Sequence, residues 1–440
     1  MSPLEIGILV GVATILVLGA GVPIAFGLGL VSIGFLVAFE GTDALSLLAE
    51  TFFAGIAEFS LVSIPMFILM GAAVAGSPAG RDLYAALDRW LWRLPGGLII
   101  ANIGACGIFA ALSGSSPATC AAIGKMGIPE MRSRGVPDEL ATGAIAAGGT
   151  LGILIPPSIT MIVYGIATET SIGRLFLAGI LPGLMLTSLF MAWSLYLSWR
   201  RGWSFGARER GYGWREKFEV LPRVLPFLAI VVGVLYVLYG GIATPSEAAG
   251  VGAALCLLLV VVVYRITDPR HLWAILRDST RESVMIMLII AASALFSYML
   301  SSLFITQAVA ETIASLDVNR WVLMGIINLF LLVAGFFLPP VAVIVMTAPI
   351  LLPIITQAGF DPYWFAVIFT INMEIGLITP PVGLNLYVIN SITPDVPLPV
   401  VLRGALPFML MMVLGMVLLA LFPQIATWLP DQLMGPARFG

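Results

Sequence analysis

Apolar positions in this chain neither alternate nor form narrow stripes. They run on for roughly 20 residues at a time, the length that crosses a bilayer. Leu4 to Leu18 and Pro23 to Phe39 are two such runs, joined by a tight Gly19–Ala20–Gly21 turn, and Leu61 to Ala75 is a third. Glu40 to Glu58, between them, is acidic and amphipathic and reads as interfacial. Arg81 to Arg93 carries Trp90 and Trp92 and predicts a short helix on the membrane surface. Gly96 to Met131 is apolar but holds Ser113–Gly114–Ser115–Ser116–Pro117 at its centre. It predicts two half-length helices meeting at a turn, a re-entrant hairpin. The run from Ala141 to Ala167 is broken by Pro156–Pro157, and Ile172 to Leu197 follows as a full span.

Trp199 to Arg223 is the longest polar stretch and divides the chain into halves. The second half repeats the series. Val224 to Tyr239 and Ser246 to Tyr264 are spans, Arg265 to Arg281 is a basic connection, and Val284 to Leu300 spans. A short interfacial helix follows at Gln307 to Leu316. Val322 to Ile355, centred on Leu338–Pro339–Pro340, reads as a second hairpin. A second broken span runs from Tyr363 to Ile389, and Leu398 to Leu421 ends the membrane part.

The two breaks are the stretches around which the rest is arranged. Paired prolines remove two amide donors and interrupt a helix at membrane depth. The freed carbonyls are tolerated only where protein or a water-filled cavity satisfies them. Gly152–Ile153–Leu154–Ile155–Pro156–Pro157–Ser158 recurs as Gly376–Leu377–Ile378–Thr379–Pro380–Pro381, 224 positions later. Pro129 and Pro353 share that spacing, while Gly19 and Pro23 match Gly241 and Pro245 at 222. Helices broken at corresponding points of two halves are the strongest sequence pointer to a transporter site.

Composition agrees with this reading and charge adds orientation. The chain is 60% hydrophobic and 10% charged, against about 25% charged in soluble domains. Barrels, which show short alternating strands, do not fit. No basic, aromatic-interleaved patch points to nucleic acid. The cysteines Cys106, Cys120 and Cys256 lie in apolar runs without metal spacing, and His271 is the single histidine. The first run lacks a basic leader, so it is expected to be retained as a span. With both hairpins re-entrant, Arg81, Arg89, Arg93, Arg132, Arg134, the Arg200–Arg223 cluster, Arg265, Arg270, Arg277, Arg281 and Arg403 share one side. Arg174, Arg320 and Arg438 fall opposite, with Glu5, Glu40, Asp43, Glu50, Glu58, Glu311 and Asp361. The basic side is expected to be cytoplasmic. The halves are then inverted repeats with both termini outside.

The expected fold is an all-α polytopic membrane protein of two inverted repeats, each with a hairpin and a broken helix. Its divisions are residues 1–95 (scaffold and first arm), 96–168 (hairpin 1 and broken helix 1), 169–319 (scaffold, loop 199–223 and second arm), 320–392 (hairpin 2 and broken helix 2) and 393–440 (a C-terminal scaffold helix). Pro95–Gly96–Gly97 is suited to act as a hinge.

Ser113, Ser115, Ser116 and Thr119 place four hydroxyls at the first tip, and Gly114 permits close approach or positive φ. Hydroxyl and carbonyl oxygens suit sodium, and helix N-termini suit a carboxylate. The plainer alternative is that small polar residues pack helices together. Asn372, Glu374, Thr379, Asn385 and Asn390 lie in or beside the second broken span. An ionisable group there marks function by default, and the alternative is that Glu374 caps or pairs with a neighbouring helix end. Lys125 either snorkels or pairs with Glu130. Glu247, after Pro245–Ser246, reads as a first-turn helix acid. Nothing in the chain forms a nucleophile–base pair, a metal-ligand cluster or a phosphate-cradling loop, so an intramembrane enzyme has no residue support.

The motifs Ser113–Thr119, Gly152–Ser158, Thr244–Pro245–Ser246–Glu247–Ala248–Ala249 and Glu374–Ile375–Gly376–Leu377–Ile378–Thr379–Pro380–Pro381–Val382–Gly383–Leu384–Asn385 resemble the large membrane subunit of tripartite ATP-independent periplasmic (TRAP) transporters. The resemblance covers almost the whole chain. It implies sodium-coupled uptake of a small organic acid by an elevator mechanism across the bacterial inner membrane, with no organic cofactor. It implies two partners, a small four-helix membrane subunit and a soluble periplasmic binding protein. Sodium would be held, largely through backbone carbonyls, by Ser113, Gly114, Ser115, Gly152 and Pro156 at one site and by Leu338, Gly376, Thr379 and Gly383 at the other. Substrate would meet Ser115, Ser116, Thr119, Ser158, Thr379 and Asn385, with Glu374, Asn372 and Lys125 accessory. The chain departs from the family pattern at Phe337–Leu338–Pro339, where many relatives resemble Phe-Met-Asp. A stand-alone divalent-anion symporter or sodium/proton antiporter of similar design is the alternative.

Overall fold

The computed structural model describes residues 1–94, 96–201, 212–315 and 319–436. Pro95 of the hinge, positions 202–211 of the central polar stretch, Leu316 and positions 437–440 lie outside the described residues.

Every regular element described is helical. The chain opens with α1 (Pro3–Gly19) and α2 (Ile24–Glu40), and two 3-10 turns flank α3 (Leu48–Ala54) before α4 (Ser63–Ala75). The amphipathic α5 (Ala79–Leu91) precedes the first hairpin, α6 (Gly97–Ser113) and α7 (Ser116–Ser133). The first broken helix is α8 (Asp138–Thr150), a 3-10 turn and α9 (Ile159–Ala167), and α10 (Ile172–Arg200) completes this half. The second half runs α11 (Trp214–Glu219), α12 (Leu221–Tyr239), α13 (Pro245–Leu258), α14 (Pro269–Ser302) and α15 (Ile305–Ser315). The second hairpin is α16 (Arg320–Phe337) and α17 (Pro340–Gln357), the second broken helix α18 (Pro362–Leu377) and α19 (Leu384–Ile392), followed by α20 (Leu398–Leu421) and α21 (Gln424–Met434). Among the described residues seven helices are long and apolar enough to cross a membrane, or eight if the bent pair Thr42–Ala54 and Phe59–Ala75 counts as one span.

Local chemistry explains the starts. Thr244 Oγ1 accepts the Glu247 N–H at 3.3 Å and Glu247 Oε2 accepts the Thr244 N–H at 2.8 Å, a capping box that satisfies two orphan donors of α13. Glu247 is therefore the first-turn acid that its position predicted. Asp361 starts α18 by accepting the N–H groups of Tyr363 and Trp364 at 2.8 and 2.9 Å.

Two expectations change at this level, and the C-terminal end gains a helix. The basic connection 265–281 is not a loop: from Pro269 it is the first part of the 34-residue α14. Nothing in that stretch breaks a helix, and Asp268 caps it by accepting the Arg270 N–H at 3.0 Å. The last candidate span does end at Leu421 as expected, and a further helix, α21, packs on α10 and α18 beyond it. Lys125 does not pair with Glu130: it is exposed, and Glu130 Oε1 instead accepts from Arg134, one turn on, at 2.5 Å.

Packing forms two groups of helices, which also touch where α4 lies on α6 and α7 and where α14 lies on α17. α8 is buried from Leu140 to Thr150 and is enclosed by α6, α7 and α20. Its contact with α20 is closest at Gly143 and Gly404, where neither backbone leaves room for a Cβ. α10 lies on α6, α9, α18 and α20. On the other side α2, α3 and α4 pack on α14, and α13 packs on α4 and α12. The arm helix α5 bridges, touching α6 and α7 as well as α12.

Charged contacts also fall into two sets. Arg134 forms a two-pronged pair with Asp88 of α5 at 3.1 and 3.3 Å, and Tyr212 Oη donates to Asp88 at 3.0 Å. Arg132 binds Asp138 at 2.8 Å and Asp395 at 2.5 Å, and its hydrogen bond holds the Asp395 carboxyl below the usual carboxylate range. Elsewhere, Arg174 binds Asp431 at 3.2 Å and lies over the Tyr363 ring, while Arg320 lies over Phe360. Arg132 and Arg134 of the first set and Arg174 and Arg320 of the second are arginines that the charge pattern assigned to opposite sides.

Candidate functional site

The site is built where the first hairpin tip meets the first break. α6 ends at Ser113 and Gly114 turns the chain with φ +58°. Gly114 is a residue type required there, because a side chain would be strained in the left-handed region and a Cβ would lie 2.9 Å from the Pro157 carbonyl oxygen. α7 then starts at Ser116 with Pro117 in its first turn, where the missing amide costs nothing. Within the tip, Ser113 Oγ and Thr119 Oγ1 share a hydrogen bond of 2.6 Å, and Thr119 Oγ1 donates to the Ser115 carbonyl at 3.0 Å. Both Ser113 and Thr119 are buried, and Ser115 is half-buried.

The break itself wraps this tip. After the Leu151–Ile153 turn, the chain passes Pro156–Pro157 to Ser158, which starts α9. Ser158 Oγ donates to the Ile153 carbonyl at 2.5 Å and accepts the Met161 N–H at 3.2 Å. It is a buried helix cap with both hydrogen-bonding roles occupied. The second break has no such cap: Gly383, at φ +45°, precedes α19 without a side-chain bond. Thr379 Oγ1 turns back to the Ile375 carbonyl at 2.6 Å. Both Pro–Pro bonds, Pro156–Pro157 and Pro380–Pro381, are cis.

The second tip meets the second break in the same manner. Val382 N–H donates to the Phe336 carbonyl at 3.2 Å, and Gly376 lies so close to Gly335 that no Cβ fits. Leu338 and Pro339 form the tip, both half-buried.

The two halves are joined by two buried contacts. Ser116 Oγ donates towards both oxygens of Glu374, each at 3.2 Å, and also lies 3.2 Å from the Thr150 carbonyl. Asn385 Nδ2 donates to the Ala146 carbonyl of α8 at 3.2 Å, and its buried Oδ1 has no partner. Asn372 sits apart from the tips, bonded to Asn328 of α16 at 2.5 Å and to the Ile368 carbonyl at 3.1 Å. Lys125, exposed on α7, is not part of this arrangement.

Structure therefore gathers Ser113, Gly114, Ser115, Ser116, Thr119, Gly152 and Glu374 in one place and Leu338, Gly376, Thr379 and Gly383 in another. Of the six residues expected to meet substrate, Ser115 and Thr379 are partly accessible, while Ser116, Thr119, Ser158 and Asn385 are buried. Two contributors were not singled out from the sequence. Thr150 lies in the first break's own stretch and offers only its carbonyl to Ser116, which no side-chain pattern announces. Asn328 is an amide inside the apolar α16, and that isolation was the available signal.

Residues 10–425 match the family model described as "Tripartite ATP-independent periplasmic transporter, DctM component". The C4-dicarboxylate TRAP transporter large permease protein DctM of Pseudomonas aeruginosa is 38% identical over 391 residues, covering 89% of this chain and 91% of that protein. Its namesake from Vibrio cholerae is 38% identical over 447 residues, covering 96% and 97%. Among solved structures, the YdaH transporter of Alcanivorax borkumensis aligns with a TM-score of 0.62 at 15% identity, over 91% of each chain. That likeness is one of fold.

Proposed function

Because the chain belongs to the DctM component family of tripartite ATP-independent periplasmic transporters, and is accordingly a multi-pass membrane transporter component, we propose that it couples sodium entry to uptake of a small carboxylate. The observation that carries this reading is the meeting of each hairpin tip with a helix break, so that hydroxyls, turn carbonyls and helix N-termini converge without a metal-type cluster of acidic or imidazole ligands among the described residues. Such hard oxygen donors fit sodium. The first ion is assigned to Ser113, Gly114, Ser115, Gly152 and Pro156, the second to Leu338, Gly376, Thr379 and Gly383.

Substrate is assigned to the space between the tips. The N-termini of α7, α17 and α19 carry no side-chain cap, and uncapped N-termini attract anions through free amides and the helix dipole. Ser115 and Thr379 are the accessible hydroxyls beside them. The names of the DctM relatives support a carboxylate of four carbons. A small four-helix membrane subunit and a soluble binding protein that delivers substrate from the periplasmic side complete the assembly in this reading, which places the chain in the bacterial inner membrane.

Movement follows from the same packing. Polar groups at membrane depth are costly unless they stay paired, and carrying the whole site keeps them paired. The moving unit comprises 96–168 and 320–392, and it is taken to include α10 and α20, since α10 lies on α6, α9 and α18 and α20 has its largest contact with α8. The remaining helices form a scaffold, and α5 and α15 connect the two.

The experiment is uptake of radiolabelled succinate into proteoliposomes holding this chain with both partner proteins. Sodium dependence is compared for wild type and for Ser113→Ala with Ser115→Ala. The variant is expected to raise the half-saturating sodium concentration with expression intact. An unchanged sodium requirement would reduce the tip to packing.

A further inference from the structure

Glu374 is buried in α18, yet its carboxylate reaches into the other half of the molecule. It accepts from Ser116 Oγ, at the first residue of α7, and that hydroxyl also lies 3.2 Å from the Thr150 carbonyl at the first break. Ser116 directly follows the hairpin segment assigned to the first sodium, Ser113–Ser115, and Thr150 lies two residues before the break segment, Gly152–Pro156. Among the described residues no basic side chain forms an ion pair with Glu374. A buried carboxylate without a cationic partner is costly. Its hydroxyl partner Ser116 donates to it, and the nearby carbonyl oxygens favour a cation.

We propose that Glu374 is a positioning residue for the first sodium site, supplied by the second half of the chain. It holds the hairpin tip and the break in register through Ser116, whose hydroxyl lies 3.2 Å from both of its oxygens and from the Thr150 carbonyl, and its charge is compensated by the sodium bound one hydroxyl away. The inference rests on the sodium reading above and adds to it a reciprocal coupling. Whatever makes this carboxylate favourable at its position strengthens sodium binding, and bound sodium stabilises the carboxylate by the same amount. It also gives the two halves a common element, since loading the first site is felt directly by the second broken helix.

The test needs no substrate. The full chain, purified in detergent, is melted while sodium chloride replaces choline chloride at constant ionic strength. A ligand that binds only the folded protein raises its apparent melting temperature with a half-point set by affinity. Wild type is expected to melt higher in sodium. Glu374→Gln keeps the side-chain shape and is expected to move the sodium half-point up by about fivefold or more. Ser116→Ala is expected to move it in the same direction, and the double variant no further than the larger single, because both act through one contact. A carboxylate of purely structural value would lower the melting temperature in choline and leave the half-point alone. That result, or an unchanged protein, overturns the positioning role. A wild type indifferent to sodium instead overturns the sodium reading on which the inference rests.

Discussion

Gly152 leaves no space for a side chain: a Cβ built there lies 2.6 Å from the Ser115 carbonyl carbon and oxygen and 2.8 Å from the Ser116 nitrogen. Backbone on both sides has no flexible end to give. Gly152→Ala is expected to push the hairpin tip from the break and to destabilise by about 1–3 kcal/mol, read as a lower melting temperature together with weaker sodium stabilisation. Gly173→Ala, where a Cβ meets open space, is the control and is expected to leave both unchanged. At this scale the sequence was informative about type more than partnership. Serine, glycine and proline at the tip announced a turn with exposed oxygens. That Ser116 meets Glu374, 258 positions away, is a fact of tertiary packing that no local pattern encodes. The same holds for Ser158, whose hydroxyl is consumed by capping α9, a role available to any serine before a helix.

Among the elements, α5 is the one that tests how the hairpin is held. Its Asp88 is nearly fully buried, and Arg134 and Tyr212 converge on it. Hydrogen bonds to buried charges contribute about 1.5–3 kcal/mol, so Asp88→Ala is expected to lower the melting temperature measurably. Arg277→Ala removes an exposed pair with Asp278 and is expected to change stability by no more than ~0.5 kcal/mol. Equal effects of the two variants would contradict the view that α5 is locked to the hairpin. The hairpins, both breaks and the arm helices were readable because each is an apolar run interrupted by residues whose backbone chemistry forbids a continuous helix. The errors came where that signal is silent. Charge does not end a helix, so the basic start of α14 looked like a connection. The mixed composition of 424–434 hides a helix that tertiary packing on α10 stabilises.

For the whole molecule, the hydrophobic pattern prescribed the order of the spans. It did not prescribe how distant spans pack together. Neither α10 nor α20 carries a break or a polar cluster, and both read as ordinary scaffold helices. Their place against α8 and the hairpins depends on close backbone approach, at Gly143 and Gly404, whose partners lie far apart in sequence. Motion of the whole site against the scaffold is the central claim, and pairs of spin labels test it most directly. One pair joins Val251 on α13 to Leu410 on α20, across the proposed boundary, and a second joins Leu410 to Val333 on α16, within the moving unit; all three positions are exposed. Distances are measured in protein shown to transport, with and without sodium and substrate. The account predicts at least two distances for the first pair, redistributed by sodium and substrate, and one fixed distance for the second. A single invariant distance for the first pair under all conditions would contradict it.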